Sequence, residues 1–315
     1  MDVLVPPAQG SCAGHLVHSD IPFRILRAGG DGSALAVRET RGAEPDGELL
    51  ARWSPRPGNP FHGRLLRTGA TFAFWASDAG WFLVDPAEPS ITLSAGDGPL
   101  SLTAEVRLFG VPSTLIALEQ GDVCLHAAAV EIGGRAVVLA GPSRHGKTTL
   151  AAAFAAAGHR LLTEDMTRCT MAAGPAVFPG PAVVRLRPDV VDGIRIPGAS
   201  SVEVERERVF VMLDGPQRGT GSPVPLAAIL FLRDGPGPGQ LDPAPSVDAI
   251  RDLWSLAFTL PTDASRGAVF GRVADLAARV PVLDLRRELR LDTLPDVIGL
   301  VGRLVERLVL EGAQR

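Results

Sequence analysis

Between residues 134 and 158 a buried strand, a glycine-bounded loop and a helix follow one another without a break, and few chains have room for any other reading of that stretch. Gly141-Pro142-Ser143-Arg144-His145-Gly146-Lys147-Thr148 fits the pattern G-x-x-x-x-G-K-[ST]. Ahead of it, residues 134–140 form a short apolar, β-branched run of the kind that makes a buried strand. Behind it, residues 149–157 are rich in alanine, the strongest helix former, and stop at Gly158, a residue suited to the position just past a helix end. Strand, glycine-rich loop and helix N-terminus together make an anion site, because backbone N–H groups converge there and the helix dipole favours negative charge. The pattern alone also arises as a glycine turn with an exposed lysine.

Lys147 is the only lysine in the chain; Lys and Arg total 31, so every other basic position is arginine. An ammonium is a compact point charge that can lie between two phosphates, whereas a planar guanidinium fork is too large and too directional. We therefore read Gly141, Pro142, Ser143, Arg144, His145, Gly146, Lys147, Thr148 and Thr149 as a nucleotide-phosphate site. Within it, Arg144 either touches a phosphate or is exposed, and His145 is expected to point to solvent.

Such a loop needs a hydroxyl on the metal, and Thr148 is placed to coordinate Mg2+. It also needs a carboxylate at the C-terminal end of a neighbouring strand. Glu164 and Asp165 close the short strand expected over residues 159–165. Adjacent strand residues face opposite ways, so both acids serve one site only if the strand ends there and the chain turns. One acid would then hold Mg2+, directly or through water, and the other would orient or deprotonate an attacking hydroxyl; otherwise the pair is a solvated strand end. His126 stands before three alanines and is either a core histidine bonded to backbone or a site residue. Arg185 is a weaker candidate for phosphate or substrate contact. Arg286, Arg287 and Arg290 read as a solvated basic face, with an acidic-substrate dock as the alternative.

Hydrophobic residues make up 46% of 315 positions, enough for a substantial core and two sub-structures. Residues 1–105 read as a β-rich region and 106–315 as the domain that carries the loop. In the first, residues 71–75 and 80–84 flank a hairpin turn and 90–94 form another strand. Trp53, Phe72, Phe74, Trp75, Trp81 and Phe82 read as sheet core rather than as a ligand surface. Residues 43–47 and 55–60 are loops, and 235–239 a loop or linker. In the second region, 106–119 is a helix or a helix pair interrupted near Gly110. Residues 123–132 form a strand that turns at Gly133-Gly134 into the strand before the loop. Further strands are expected at 183–186, 209–213, 226–232 and 281–285. Helices are expected at 246–260, 265–279 and 294–310, the last with apolar Val297, Val301, Leu304, Val305 and Leu308 at helical spacing.

The formal net charge is −4 with basic residues scattered, which is no footprint of a nucleic-acid binder. Cys12, Cys124 and Cys169 are too few and too scattered for a disulfide framework or a zinc site, and read as free thiols of a reducing cytoplasm. The start of the chain lacks the basic region and long apolar stretch of a secretory signal. No uncharged apolar run approaches the roughly 20 residues that cross a bilayer. A cytoplasmic protein without a membrane partner is expected.

Leu125-His126-Ala127, the glycine hairpin, residues 141–148 and Gly158-His159-Arg160-Leu161-Leu162-Thr163-Glu164-Asp165 resemble, in order and spacing, the catalytic core of HPr kinase/phosphorylase. The likeness covers residues 123–168. The longer layout, with Phe178-Pro179-Gly180 leading into Val184-Arg185-Leu186-Arg187-Pro188, is similar to the HPr-kinase-related proteins of lasso-peptide biosynthesis. The resemblance implies an α/β fold, a P-loop kinase core of the type shared with phosphoenolpyruvate carboxykinases. It implies ATP and Mg2+ as cofactors and a serine hydroxyl of a precursor peptide or small protein as acceptor. It also implies a multimer, and a site role for His126. Glu164 would be the base and Asp165 would lie nearer the metal. The chain departs from the family where the first acid is Glu164 instead of aspartate, and where Arg144-His145 replace small residues. The C-terminal signature of the phosphorylase reaction is absent. A kinase of a small-molecule alcohol, a nucleotide-dependent switch that transfers nothing, and a degenerate relative that only binds peptide are the competing readings. The acceptor and the adenine-or-guanine preference are not legible.

Overall fold

In the computed structural model the described residues are 8–313, apart from 41, 43, 56–59, 95–99, 206–207 and 238. The loops expected at 43–47, 55–60 and 235–239 lie partly outside them, and the start of the chain, residues 1–7, lies wholly outside.

Alternation of buried and half-exposed side chains drives the first region into a sheet, as where residues 90–94 bury Ile91 and Leu93 alone. Its strands are β1 (Ala8–Cys12), β2 (His15–Ser19), β3 (Ser33–Thr40), β4 (Glu48–Trp53), β5 (Gly63–Thr68), β6 (Thr71–Ala76), β7 (Gly80–Asp85) and β8 (Ser90–Ser94). They pair in the order β1-β2-β3-β8-β7-β6-β5-β4. The expected hairpin is β6–β7, with Phe74 opposite Phe82 and Trp75 opposite Trp81. The period of two divides the aromatic residues. Phe74 and Phe82 are buried, with Trp53 and Phe72 packed on the same cluster. Trp75 and Trp81 face away from that core and receive the Arg64 guanidinium at 5.0 and 5.2 Å from their ring centroids. The expectation of sheet core therefore fails for these two.

The helix pair follows as α1 (Leu102–Leu108) and α2 (Val111–Glu119). Ser101 caps α1, accepting from the Ala104 N–H, and Pro112 sits in the first turn of α2, where a missing N–H costs nothing. α1 runs across residues 105 and 106, and its Leu102, Val106 and Leu108 join the core of the first sheet.

The strands β9 (Val123–His126), β10 (Ala128–Ile132) and β11 (Arg135–Ala140) come next, then α3 (Lys147–Ala156), β12 (Arg160–Thr163), β13 (Met166–Thr170) and β14 (Ala176–Phe178). The single strand expected over 123–132 is in fact two. The chain breaks at Ala127, whose N–H turns back to the Leu125 carbonyl, so β9 pairs with β13 while β10 pairs with β11 and β12. Gly133 (φ 56°) and Gly134 (φ 76°) make the tight β10–β11 turn in the left-handed region that glycine tolerates and that matches strand twist.

A small sheet then branches off, with β15 (Val183–Leu186), α4 (Pro188–Val191), β16 (Ala199–Glu205) and β17 (Arg208–Leu213) in the order β15-β17-β16. After α5 (Gly215–Arg218), the chain returns to the large sheet through β18 (Val224–Asp234) and β19 (Gln240–Pro243). It ends with α6 (Ser246–Leu256), α7 (Asp263–Arg279), β20 (Val282–Arg287) and α8 (Leu294–Ala313). The helix expected to reach residue 260 stops at Leu256 because Ala257 turns extended and bridges Leu125, and the Phe258 N–H donates to the Cys124 carbonyl. Tertiary pairing outweighs helix propensity there.

β11, β18 and β20 run parallel, with Ala140, Phe231 and Asp284 in one row. Leu150, Phe154 and Val301 of α3 and α8 are buried on one face of this sheet, and Leu253, Val273 and Leu276 of α6 and α7 on the other. Val183, Phe210 and Met212 of the small sheet belong to the core of the first region. No helix among the described residues is long and apolar enough to cross a membrane. The three cysteines are buried and unbridged, and burial pushes the Cys124 thiol up to about 12.

Candidate functional site

The 141–147 loop leaves the C-terminal end of β11 and enters α3. Gly141 (φ 145°) and Gly146 (φ 72°) take backbone conformations that glycine adopts without strain. Helix α3 begins at Lys147, ahead of the alanine run, and no side chain caps its first turn, so those N–H groups are free of local competition. Lys147 is not an exposed lysine on a glycine turn. It is 7% exposed, and its Nζ donates to the carbonyls of Gly141 (2.8 Å) and Pro142 (3.1 Å), spanning the loop. Burial lowers its pKa, and the charge of Asp165 works the other way. Pro142, Ser143 and Arg144 are exposed, and Thr148 and Thr149 are half-buried on the first turn of α3. His145 is turned onto the protein instead of toward solvent. Its Nδ1 lies 3.2 Å from the Ser143 carbonyl and its Nε2 3.8 Å from Asp234 Oδ2.

The two acids come to the loop through strand register. Ala129 of β10 stands opposite Val138 of β11 on one side and Thr163 of β12 on the other. β12 therefore runs parallel to β11, with Thr163 level with Val138, so that the two residues after it reach the level of Leu139 and Ala140, at the end of β11. Two strand spacings, about 10 Å, separate them. The strand ends at Thr163 and the chain turns, with Thr163 Oγ1 donating to the Met166 carbonyl (2.8 Å). Both acids then meet one partner, Arg185 of β15. Its Nε donates to Glu164 Oε1 (2.5 Å) and its Nη2 to Asp165 Oδ2 (2.8 Å). His126, at the end of β9 and opposite Met166, places Nδ1 3.1 Å from Asp165 Oδ1. The structure thus gathers His126, Glu164, Asp165 and Arg185 into one cluster, with Lys147 within electrostatic reach.

The two acids differ in setting. The Glu164 side chain is 10% exposed; burial raises its pKa, Arg185 opposes the rise and the charge of Asp165 adds to it. Asp165 is open to solvent on one side. Against desolvation, Arg185 and His126 hold its carboxyl well below the usual carboxylate range. Among the described residues no group of three or more His, Cys, Asp or Glu side chains is arranged to hold a metal. A Mg2+ that bridges phosphates needs one or two protein oxygens and takes the rest from phosphate and water. The Thr148 hydroxyl and the Asp165 carboxylate are oxygen donors of that kind, and in this structure both Asp165 oxygens are engaged, Oδ1 by His126 Nδ1 and Oδ2 by Arg185 Nη2.

The arginines near the C-terminus do not form one solvated face. Arg286 and Arg290 are exposed and paired with acids. Arg287 is 3% exposed and donates Nη2 to the His145 carbonyl (3.0 Å), directly under the loop. The sequence carried a signal for this: Leu283, Leu285 and Arg287 alternate on the buried face of β20. A concavity of about 310 Å³ between Gly133, Gly158 and His159 opens at the other end of β11 and is separate from this cluster.

No protein-family model matches the chain, and no curated protein matches it. Among solved structures it is similar to the HPr(Ser) kinase/phosphatase from Coxiella burnetii, at 11% identity over 60% of this chain and 98% of that one, with a TM-score of 0.30. A likeness that loose fixes no residue correspondence, and the site stands on the chain's own geometry.

Proposed function

We propose that this protein is an ATP- and Mg2+-dependent phosphotransferase acting on a hydroxyl, with serine of a peptide or small protein as the acceptor. The observation that carries the reading is the convergence of Lys147, folded over its own loop, with a carboxylate pair at the same edge of the sheet. On this reading the loop amides and Lys147 hold the phosphates, and Thr148 and Asp165 hold Mg2+. The metal would neutralise charge on the phosphate oxygens. Glu164 takes the acceptor's proton, and a base of raised pKa suits that task better than Asp165, which stays ionised. The acceptor oxygen bonds to phosphorus as the bond to the bridging oxygen breaks, and the diphosphate leaves with that electron pair. His126 orients Asp165. The Asp165 and His126 side chains are 42% and 48% exposed, an opening that suits a hydroxyl carried on a large partner. Together with the sequence resemblance, it makes a lasso-type precursor peptide ending in serine the first substrate to try.

Incubation with γ-labelled ATP and a serine-ended peptide tests this. The wild-type chain should label the peptide, and Glu164→Gln should slow transfer by about 100-fold or more. Label that enters only a small metabolite would point to an alcohol kinase. Hydrolysis with no labelled acceptor would point to a switch.

A further inference from the structure

In-line phosphoryl transfer sets the attacking and leaving oxygens on opposite sides of phosphorus. That rule orients any nucleotide held by the 141–147 loop, and the inference here rests on the loop being a nucleotide site. Glu164 and Asp165 lie on the β12 side of β11, so the acceptor enters there. The remainder of the nucleotide leaves toward the opposite flank, where β18 and β20 run parallel to β11. Ligands of parallel sheets occupy the crevice beyond the carboxyl ends of the strands. On this flank the crevice is bounded by the residues that follow β20.

Those residues are fixed on two sides. Arg287 donates Nη2 to the His145 carbonyl and Nη1 to the Glu288 carbonyl (3.2 Å), and its buried Nε has no partner among the described residues. Glu288 Oε1 accepts from the Gly237 N–H (3.0 Å), which ties the segment to the turn after β18. Between these anchors and solvent stands Leu289, 54% exposed. A lone exposed leucine ordinarily needs no explanation. This one is held at the mouth of the loop: a Cβ added to Gly146 would lie 3.5 Å from Leu289 Cδ2 and 2.9 Å from Arg287 Nη2. The glycine, the buried arginine and the exposed leucine form one assembly beside the first turn of α3.

We propose that Leu289 is the apolar wall of a subsite for the base of the nucleotide, beside the contact of Arg287 with the phosphate loop. The base lies flat on an aliphatic side chain already presented to solvent, at the flank away from the acids.

The test compares Mg2+-ATP with inorganic tripolyphosphate, which has the phosphates and no base. Each is titrated into the full chain and into Leu289→Asn and Leu289→Ala. Wild type should bind ATP more tightly than tripolyphosphate. Leu289→Asn, which removes the apolar surface without adding charge beside the phosphates, should weaken ATP by about tenfold, the worth of covering much of a leucine side chain, and Leu289→Ala by somewhat less. Neither should change tripolyphosphate affinity, which also reports that the variants are folded. Unchanged ATP affinity in both variants, or equal losses for both ligands, overturns the proposal. Equal wild-type affinity for the two ligands overturns the base subsite and leaves the loop standing. A wild-type chain that binds neither removes the nucleotide reading of the loop and the subsite with it.

Discussion

Glu164 and Asp165 are chain neighbours that share one guanidinium, yet their charges are favoured unequally. Glu164 has a folded pKa raised by burial, so its ionisation costs stability. Its favourable contribution is complete below the unfolded value, about 4.3, and is lost as pH rises through the folded value. Asp165 has a depressed folded pKa. Its contribution is present above the unfolded value, about 3.9, and is lost as pH falls through the folded one. Chemical denaturation at pH 7 should therefore find Glu164→Gln more stable than wild type, an advantage that disappears below about pH 4. Asp165→Asn should be less stable at pH 7, with a deficit that shrinks in acid. Glu164→Gln would then be a variant that gains stability while losing transfer, the trade expected where a charged group is buried for function. The reverse ordering at pH 7 would show that Arg185 more than compensates the burial of Glu164. The two acids are legible in the sequence as a pair, while the residues alone leave His126 open between core and site, and only the resemblance implies a site role for it. Their common partner was not fixed there, because Arg185 sits on β15, and only tertiary packing brings β15 to the end of β12.

The elements divide by how local their causes are. The β6–β7 hairpin, the strand at 90–94 and the glycine turn at Gly133-Gly134 follow from period and turn chemistry, and their positions are readable residue by residue, whereas the helix pair is read only from residue 106, or as one helix, and α1 in fact starts at Leu102. The break at Ala127 was not. Residues 123–132 are apolar almost throughout, and nothing in that run marks where pairing with β13 gives way to pairing with β12. The early end of α6 has the same origin, since Ala257 and Phe258 leave the helix to pair with β9. Arg287 is the opposite case. Its alternation with Leu283 and Leu285 was visible, but charge argued for solvent, and the carbonyl that receives it belongs to a loop 142 residues away. Strand period outweighed charge at that position because a partner was available.

At the scale of the whole molecule, two arginines hold the first sheet to the second. Arg27 is fully buried and fans into the carbonyls of Gly180 (2.8 Å), Leu161 (2.9 Å), Leu162 (3.0 Å) and Gln217 (3.2 Å). Arg168 of β13 donates to Asp122 (2.6 Å) and to the Ala13 carbonyl (2.8 Å), and sits 3.1 Å from Nε2 of His15, whose pKa is pushed down to about 3 by burial and by that arginine. The first region is thus wired into both strands that flank the two acids, β12 through Arg27 and β13 through Arg168. Arg27→Ala would leave several buried acceptors unpaired at once. It should cost more than about 4 kcal/mol, read as a lower thermal midpoint for the whole chain in one transition. A variant that melts the first sheet separately and leaves the rest unchanged would show the two regions to be independent.

The central claim is that the loop of Lys147 and the acid of Asp165 form one metal-nucleotide site. It is tested most directly by titrating ATP into wild type, Lys147→Ala and Asp165→Asn, with and without Mg2+. The account predicts tight binding by wild type that depends on Mg2+, loss of most affinity in Lys147→Ala under either condition, and an Asp165→Asn chain whose weaker binding responds much less to the metal. Wild-type affinity in Lys147→Ala, or an undiminished response to Mg2+ in Asp165→Asn, would contradict it.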